Sequence, residues 1–501
     1  MVPISMGWFV RKGQESHPLT MKHTHRTLPA SLVAVLIAST LSVQAIERVN
    51  FDSSNNPPTT GVAFSPSASA DGRYVVFSTN ADLVPADTNF DFDIYLRDRL
   101  LGTTTCVSVD SMGVPVGQAY SATISADGKF VAFDSGDSTL FPSDTNGTTD
   151  VFVRDLVAGT TSRISVPLGG GGSGGGGTAP SISGDGRYVV FSSFATDLIA
   201  SDTNSFEDIF LRDRQAGTTV RISRGPAPGF AETDSGSDMP SISEDGSKIS
   251  FRSFATNLVS PATDGTSHVF VYDVASGAIE LVSQSTGGVQ GDFDSMQSRL
   301  TANGSHVVFE SSAGNLVAGD DMNFDGDVFV RDLAGGTTIR VSHASNGDKQ
   351  DGIASGPAIS RDGRYVAFTS TGSNLAPEST GATGNLYVRD LVTGQTRLVT
   401  VGIDGMEGDD ATWAVPAFVD NATGIVFESS ANNLIAGDTL TSHDIFYAAL
   451  TNNNQALKAS LTTQIKKLNA KVKIAKKKGQ TAKAKRLLKK ARKLKQRLRS
   501  L

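Results

Sequence analysis

Short apolar runs bounded by turn-forming residues recur at a near-constant interval along most of the 501-residue chain. A block reading S-I-S-x-D-G-R-Y-V-V-F-S-S carries its aromatic at Phe77, Phe133, Phe191, Phe251, Phe309, Phe368 and Phe427, at spacings of 56 to 60 residues. A second block, D-I-F-V-R-D-L, follows each time, with its aromatic at Tyr95, Phe152, Phe210, Phe270, Phe329, Tyr387 and Phe446. A third, G-T-T-x-R-I-S-V, closes most units, as at 159–166 and 336–342. A fixed period of this length marks a repeat architecture, and there are seven repeats.

Each unit predicts four short strands. The S-I-S piece is the first, and the Asp-Gly or Asn-Gly after it is a tight-turn signal leading into the apolar second. The I-F-V run is the third and the alternating T-x-R-I-S-V the fourth. Runs such as Val189-Val190-Phe191 and Ile209-Phe210-Leu211 are apolar without alternation, as expected of strands covered on both faces. Four-stranded sheets stacked face to face around an axis meet that demand, which is the β-propeller solution.

The chain ends choose between a ring and a linear solenoid. After the seventh third strand, Asp444–Tyr447, no fourth strand follows, whereas Ile46-Glu47-Arg48-Val49-Asn50-Phe51 resembles a fourth-strand block. Val49 precedes Phe77 by 28 residues, and the internal equivalents Ile164, Ile222 and Val341 precede their aromatics by 27, 29 and 27. This register predicts that the N-terminal strand completes blade seven, so that no sheet edge is left open. The expected fold is all-β: a closed seven-bladed propeller over 46–452, with a signal peptide over 1–45 and a basic helical tail over 453–501.

The repeats resemble the WD40-like repeats of TolB-type propellers, whose S-x-D-G-x-x-[IV]-x-F and D-[IV]-[FY]-V-x-D blocks read here as Ser183–Phe191 and Asp208–Asp213. The resemblance covers about 46–450 and implies the fold; a superfold of this kind hosts many functions. The chain departs from TolB in having seven repeats rather than six and no preceding α/β domain, so a role in the Tol envelope machinery does not carry over.

In an up-and-down blade the one–two and three–four turns share one face, and here they are short. The two–three and four–one connections lie on the other face and are long, as in Phe194–Glu207 and Ser223–Met239. Binding groups concentrate on long loops over a rigid scaffold, which makes this the candidate working surface. It carries a repeated acidic motif: Asp87, Asn89, Asp91 and Asp93; Asp144, Asn146 and Asp150; Asp202, Asn204 and Asp208; Asp321, Asn323, Asp325 and Asp327. Oxygen-bearing side chains at alternate positions suit Ca²⁺, which collects six to eight oxygens. Asp321–Gly326 matches the first half of an EF-hand loop, although a strand rather than a helix follows, and it is similar to the calcium loops of integrin-type propellers. The alternative is turn chemistry, since Asp and Asn bond their own backbone. Repeat four has Ala262 and His268 in place of the two aspartates and repeat six has Ser379 and Asn385, while repeat seven keeps Asp438 and Asp444.

Other motifs weaken under inspection. Gly171-Gly172-Ser173-Gly174-Gly175 satisfies G-x-S-x-G but lies in a glycine run without the strand–elbow–helix context of a nucleophile. The Arg-Asp pair ending the third strand (Arg97-Asp98, Arg154-Asp155, Arg212-Asp213, Arg331-Asp332, Arg389-Asp390) reads as exposed blade-to-turn bracing. His268, His306, His343 and His443 are spread over blades four, five and seven, too dispersed for a metal cluster.

Charge adds a second theme. Of 44 basic residues, 18 fall in 451–501, which holds no acid, and four fall in 1–45 beside one acid. Residues 46–450 thus hold 22 basic and 50 acidic residues, a net of −28. Leu461, Ile465, Leu468, Val472 and Ala475, then Leu487, Ala491, Leu494, Leu498 and Leu501, recur at helical spacing on either side of Gly479. The tail therefore predicts a basic helical hairpin or one long amphipathic helix, with Lys466, Lys467, Lys476, Lys477, Lys478, Lys489, Lys490, Arg492 and Lys493 as its anion-binding groups. An anionic envelope polymer, a membrane surface or the acidic propeller itself would satisfy it. At the other end, Lys22 and Arg26 precede an apolar stretch from Leu28 to Val43, and Val43-Gln44-Ala45 offers a cleavage site, the order of a secretory signal; Met21 begins a more ordinary signal than Met1. Export argues against nucleic acid as the partner. One cysteine, Cys106, excludes a disulfide framework and a Cys-rich zinc site.

The expected function is non-catalytic binding in the periplasm or at the cell surface, with a protein or glycan ligand on the long-loop face and the tail on an anionic envelope component. No cofactor is required, and Ca²⁺ is the ion the loops would take. The alternatives are a polysaccharide lyase or hydrolase acting at the propeller mouth and a calcium-dependent adhesion protein.

Overall fold

The computed structural model describes residues 41–141, 144–170, 174–226, 231–319, 325–381, 383–412, 415–438, 443–452, 465–474, 487–490, 492–493 and 495. Its strands form seven four-stranded antiparallel sheets. Blade one takes Ala63–Ala68, Tyr74–Thr79, Asp93–Asp98 and Thr103–Cys106 in sequence order, and blades two to six repeat that order. Blade seven is built from Ala417–Val419, Gly424–Ser429 and Asp444–Asn452, and its fourth strand is Leu41–Arg48 from the other end of the chain.

The expected register holds. Val49 donates its N–H to the Ile445 carbonyl, the bond that Val107, Ile164, Ile222, Val282, Val341 and Val399 make within their own blades. The strand also extends to Leu41, across the expected 45/46 boundary, and its register shifts between Val43 and Ile46. Pairing of Ile46, Glu47 and Arg48 with Ala448, Tyr447 and Phe446 lies on the propeller side of that boundary.

The repeated aromatics explain the blades. Each second-strand aromatic lies directly opposite the third-strand aromatic of its sheet, as in Phe191 with Phe210, and ring centroids in the seven pairs are 5.7–6.4 Å apart. A buried ring contributes about 1.5–3 kcal/mol and an aromatic pair about 0.5–1.5 kcal/mol more. The core is divided among seven clusters between neighbouring sheets, one of which joins Val419, Val426 and Ile445 of blade seven to Ala63, Val75 and Phe77 of blade one.

Asp-Gly turns set the blade spacing. Asp185 accepts from the Ser183 hydroxyl and the Arg187 N–H, and Gly186 adopts φ +72° with Phe130 packed where a Cβ would stand, 2.1 Å away. The Arg-Asp pairs brace the blade, but not as exposed pairs. Arg97, Arg154, Arg212, Arg331 and Arg389 donate to fourth-strand threonines, at 3.0 Å for Arg97 to Thr104, and the first, fourth and fifth of these arginines are buried. The adjacent aspartates cap the next turn, and Asp98, Asp213 and Asp390 also take the arginine after the Asp-Gly turn.

Residues 465–474 are helical, with Ile465 and Val472 buried and Lys466 and Lys467 exposed. Residues 487–490, 492, 493 and 495 are helical too, with Lys489, Lys490, Arg492 and Lys493 exposed; Lys476, Lys477, Lys478 and the Gly479 hinge lie outside the described residues. Among the described residues no helix is long and apolar enough to cross a membrane.

Candidate functional site

The acidic motifs converge on one recurring station, the first residue of each third strand. Asp93, Asp150, Asp208, His268, Asp327, Asn385 and Asp444 stand there, all buried. In six blades a hydroxyl from just beyond the fourth strand accepts the next residue's N–H and bonds the station side chain. Ser165 takes the Val151 N–H at 3.0 Å and donates to Asp150 at 2.5 Å. Ser108, Ser223, Ser283, Ser342 and Thr400 do likewise, and Asn50 replaces the hydroxyl in blade seven. The asparagines build the approach. Asn89 and Asn146 accept from the backbone of Asp91 and Thr148 and donate to Asp93 and Asp150, while Asn204 accepts from Phe206 and donates to Thr233. Asp91 caps its neighbour Phe92. Turn chemistry thus accounts for much of the motif.

Arginine supplies a charge that sequence reasoning did not assign. The last residue of the fourth strand is Arg163, Arg221, Arg340 or Arg48 in blades two, three, five and seven. Arg163 Nη2 lies 2.7 Å from Asp150 and Nη1 lies 3.8 Å from Asp144; Arg340 lies 3.2 Å from Asp327. Arg48 reaches Asp438 at 2.5 Å and Asp444 at 2.9 Å. In blade three the carboxylate oxygens of Asp202, Asp208 and Glu232 come within 4.8 Å of one another, and Arg221 Nη1 contacts them at 3.1, 3.3 and 2.6 Å. Burial raises Asp202 and Asp208 above the ordinary carboxylate range, opposed by Arg221 in both and by Ser223 at Asp208. Blades four and six carry Leu281 and Leu398 there and lack the acid pair. In blade four His268 bonds Ser283 and Asp264 instead.

Blade one keeps both acids and has Cys106 where the arginine would be. Asp87 accepts from the Tyr95 hydroxyl, and Asp93 accepts from Ser108 at 2.6 Å and Asn89 at 2.8 Å, with Cys106 Sγ 3.7 Å away. Burial, opposed by these hydrogen bonds, pushes Asp93 up to about 7. Asp321 and Asn323 lie outside the described residues, and Asp325 is half-buried beside the buried Asp327.

The same face carries aromatic residues that the periodicity does not explain. Phe194 and Phe254 directly follow the second strands of blades three and four and are 67% and 38% exposed. Phe90 and Phe206, in the two–three loops of blades one and three, are also exposed. Phe64, Phe92 and Tyr120 pack at tilted angles across blades one and two, with centroids 5.1 and 5.7 Å apart. The sequence signal was present: Phe194 and Phe254 stand where other repeats have Asn80, Gly136, Ser312 or Ser430. On the short-turn face the exposed apolar residues are aliphatic, such as Leu100, Val157 and Val392.

No protein-family model matches the chain, and no curated protein matches it. Among solved structures it is similar to TolB from Acinetobacter baumannii, at 15% identity over 75% of this chain and 80% of that one, with a TM-score of 0.37. The likeness is one of fold. The β-propeller domain of the Trilobed protease from Pyrococcus furiosus gives 13% identity over 79% and 96%, with a TM-score of 0.48. Acylaminoacyl peptidase from Pyrococcus horikoshii gives 12% over 76% of this chain and 51% of that one, with a TM-score of 0.44.

Proposed function

We propose that the protein is an exported, non-catalytic binding module that holds a protein or glycan partner against its long-loop face. The observation that carries this reading is the set of exposed aromatics Phe90, Phe194, Phe206 and Phe254 on a rigid scaffold. Aromatic residues supply large contact area at low entropic cost and are enriched where partners dock. Fixed acids already bonded to their own arginines and hydroxyls suit a scaffold better than acid–base chemistry. The basic tail attaches the module to an anionic envelope polymer or membrane through Lys466, Lys467, Lys489, Lys490, Arg492 and Lys493, which are exposed.

The test is a binding array of envelope proteins, glycans and anionic polymers. The full chain, a Phe194→Asp/Phe254→Asp variant and a chain ending at Asn454 are compared. The aromatic variant is expected to lose the partner while keeping its unfolding midpoint. The truncated chain is expected to lose only the salt-sensitive polymer binding. Turnover of a glycan, with release of unsaturated sugars, would replace this reading by the lyase.

Calcium belongs to this proposal at blade one, where Asp87, Asn89, Asp91 and Asp93 stand without an arginine.

A further inference from the structure

The central channel, with a volume of ≈ 520 Å³, is lined by residues in or beside the first strands of blades one to five and seven. One register position can be followed around it, the residue paired with the position just before each second-strand aromatic. It is Ser67, Thr123, Ser181, Ser241, Arg299, Ala358 and Ala417 in blades one to seven. Four hydroxyls and two alanines show what the fold asks for there, a small side chain. Arg299 is the exception, and it stands where the other repeats have the first residue of S-I-S.

Arg299 lines the channel and donates Nη1 to the Ser298 carbonyl at 2.9 Å. No carboxylate among the described residues lies within ion-pair distance of it, in contrast to the paired Arg48, Arg163, Arg221 and Arg340. Burial holds its guanidinium below the ordinary value, with no nearby charge to offset the effect. Arg299 is half-buried, and a partly desolvated charge without a counter-charge is costly to keep. Two hydroxyls of the same layer act as acceptors: Ser67 and Ser181 accept the N–H of Ile124 and Ile242 from the next blade, both at 3.3 Å. Their own O–H groups are left to donate.

The two mouths differ. On the Asp-Gly side, Arg361 of blade six reaches Glu244 of blade four at 2.5 Å. Adjacent turns there are laced by backbone bonds such as Ala70 to Ala126 and Gly184 to Glu244. These contacts narrow the Asp-Gly mouth, where Glu244, which also lines the channel, is held by Arg361.

We propose that the channel is a binding site for a small oxyanion, a carboxylate or phosphate group, held by Arg299 with the hydroxyls of Ser67 and Ser181. The guanidinium presents forked donors that match such a group, and the hydroxyls add neutral ones. The site is separate from the aromatic surface, and either can fail without the other.

The experiment titrates the full-length protein, at constant ionic strength with chloride as reference, against acetate, D-glucuronate and inorganic phosphate. Binding is read by calorimetry and by the unfolding midpoint. One or more of these is expected to bind at a single site and raise the midpoint. Acetate or glucuronate without phosphate assigns the carboxylate source, and phosphate alone assigns the phosphoryl source. Arg299→Ala and Arg299→Ser, which install the residues of neighbouring blades, are expected to lower affinity at least tenfold with an anion-free midpoint no lower than that of the parent. Phe194→Asp/Phe254→Asp is expected to leave this binding unchanged. Absence of oxyanion binding to the parent protein, or equal binding by the Arg299 variants, overturns the proposal.

Discussion

In blade three Arg221 reaches Asp202, Asp208 and Glu232; in blade one the same position is Cys106, and Asp87 and Asp93 are left to Tyr95, Ser108 and Asn89. Both blades satisfy the same backbone demand, an oxygen at the head of the third strand for the incoming hydroxyl. They differ in what opposes the burial of the carboxyls, a guanidinium with a hydroxyl in one and neutral hydrogen bonds alone in the other. Blades four and six take a third course, losing arginine and acid pair together, with Ala262, His268 and Leu281 in one and Ser379, Asn385 and Leu398 in the other. A repeat thus copies its hydrogen bonds more strictly than its charges.

The strongest way to break the comparison is Arg221→Leu. It leaves three carboxylates around an apolar side chain and is expected to cost about 3–5 kcal/mol in denaturant unfolding, as for a buried pair that loses one partner. Adding Asp202→Ala and Asp208→His, which completes the blade-four set, is expected to restore most of that loss. Additive losses across the three sites would show that they do not act as a unit.

Acidity is the next lever. Asp93 has a folded value of about 7, above its ordinary 3.8, so the folded chain holds this proton more tightly than the unfolded chain does. Its contribution to stability is fully present below the unfolded value and is lost as pH rises through about 7. At 1.36 kcal/mol per pKa unit the span is on the order of 3 kcal/mol between pH 4 and pH 8. Asp93→Asn, which installs the residue blade six has at Asn385, is expected to flatten that part of the stability–pH profile.

A smaller effect is expected from Cys106→Arg, which gives blade one the blade-two arrangement. At pH 8 it should stabilise by about 1 kcal/mol, and less at pH 5, where Asp93 is protonated. The smallest is calcium. Millimolar Ca²⁺ is expected to raise the parent's unfolding midpoint by about 0.5 °C through blade one, corresponding to well under 1 kcal/mol, and Cys106→Arg should remove the effect. A rise that persists in the variant would locate the ion elsewhere.

The fold was legible because its determinants are local and repeated. Phe191 and Phe210 announce two buried strands, Asp185-Gly186 announces the turn between them, and seven copies average out local ambiguity. Even the split blade could be read, since Val49 keeps the spacing of Ile164 and Val341. The extension of the first strand to Leu41 could not, because an apolar run before a small residue satisfies a signal peptide and a strand equally well. The acidic stations were found as residues but misjudged as a set: Arg221 sits 13 residues after Asp208, and only the sheet brings them together. Phe194, Phe254 and Arg299 were visible as departures from the repeat consensus, a signal that a search for agreement between repeats passes over.

The pairing of Leu41–Arg48 with the final strand has a consequence for assembly. Asn50 bonds Asp444, a residue 394 positions away, so residues 41–50 can complete their sheet only once the segment around Asp444 is present. Loop closure over that distance comes late, and contacts so remote in sequence slow the search for the native arrangement. Six blades are each built from one continuous stretch and can form before residues 444–452 join, while the strand Leu41–Arg48 stays unpaired until they do. What this fold has most to protect during assembly is the unpaired edge of Leu41–Arg48.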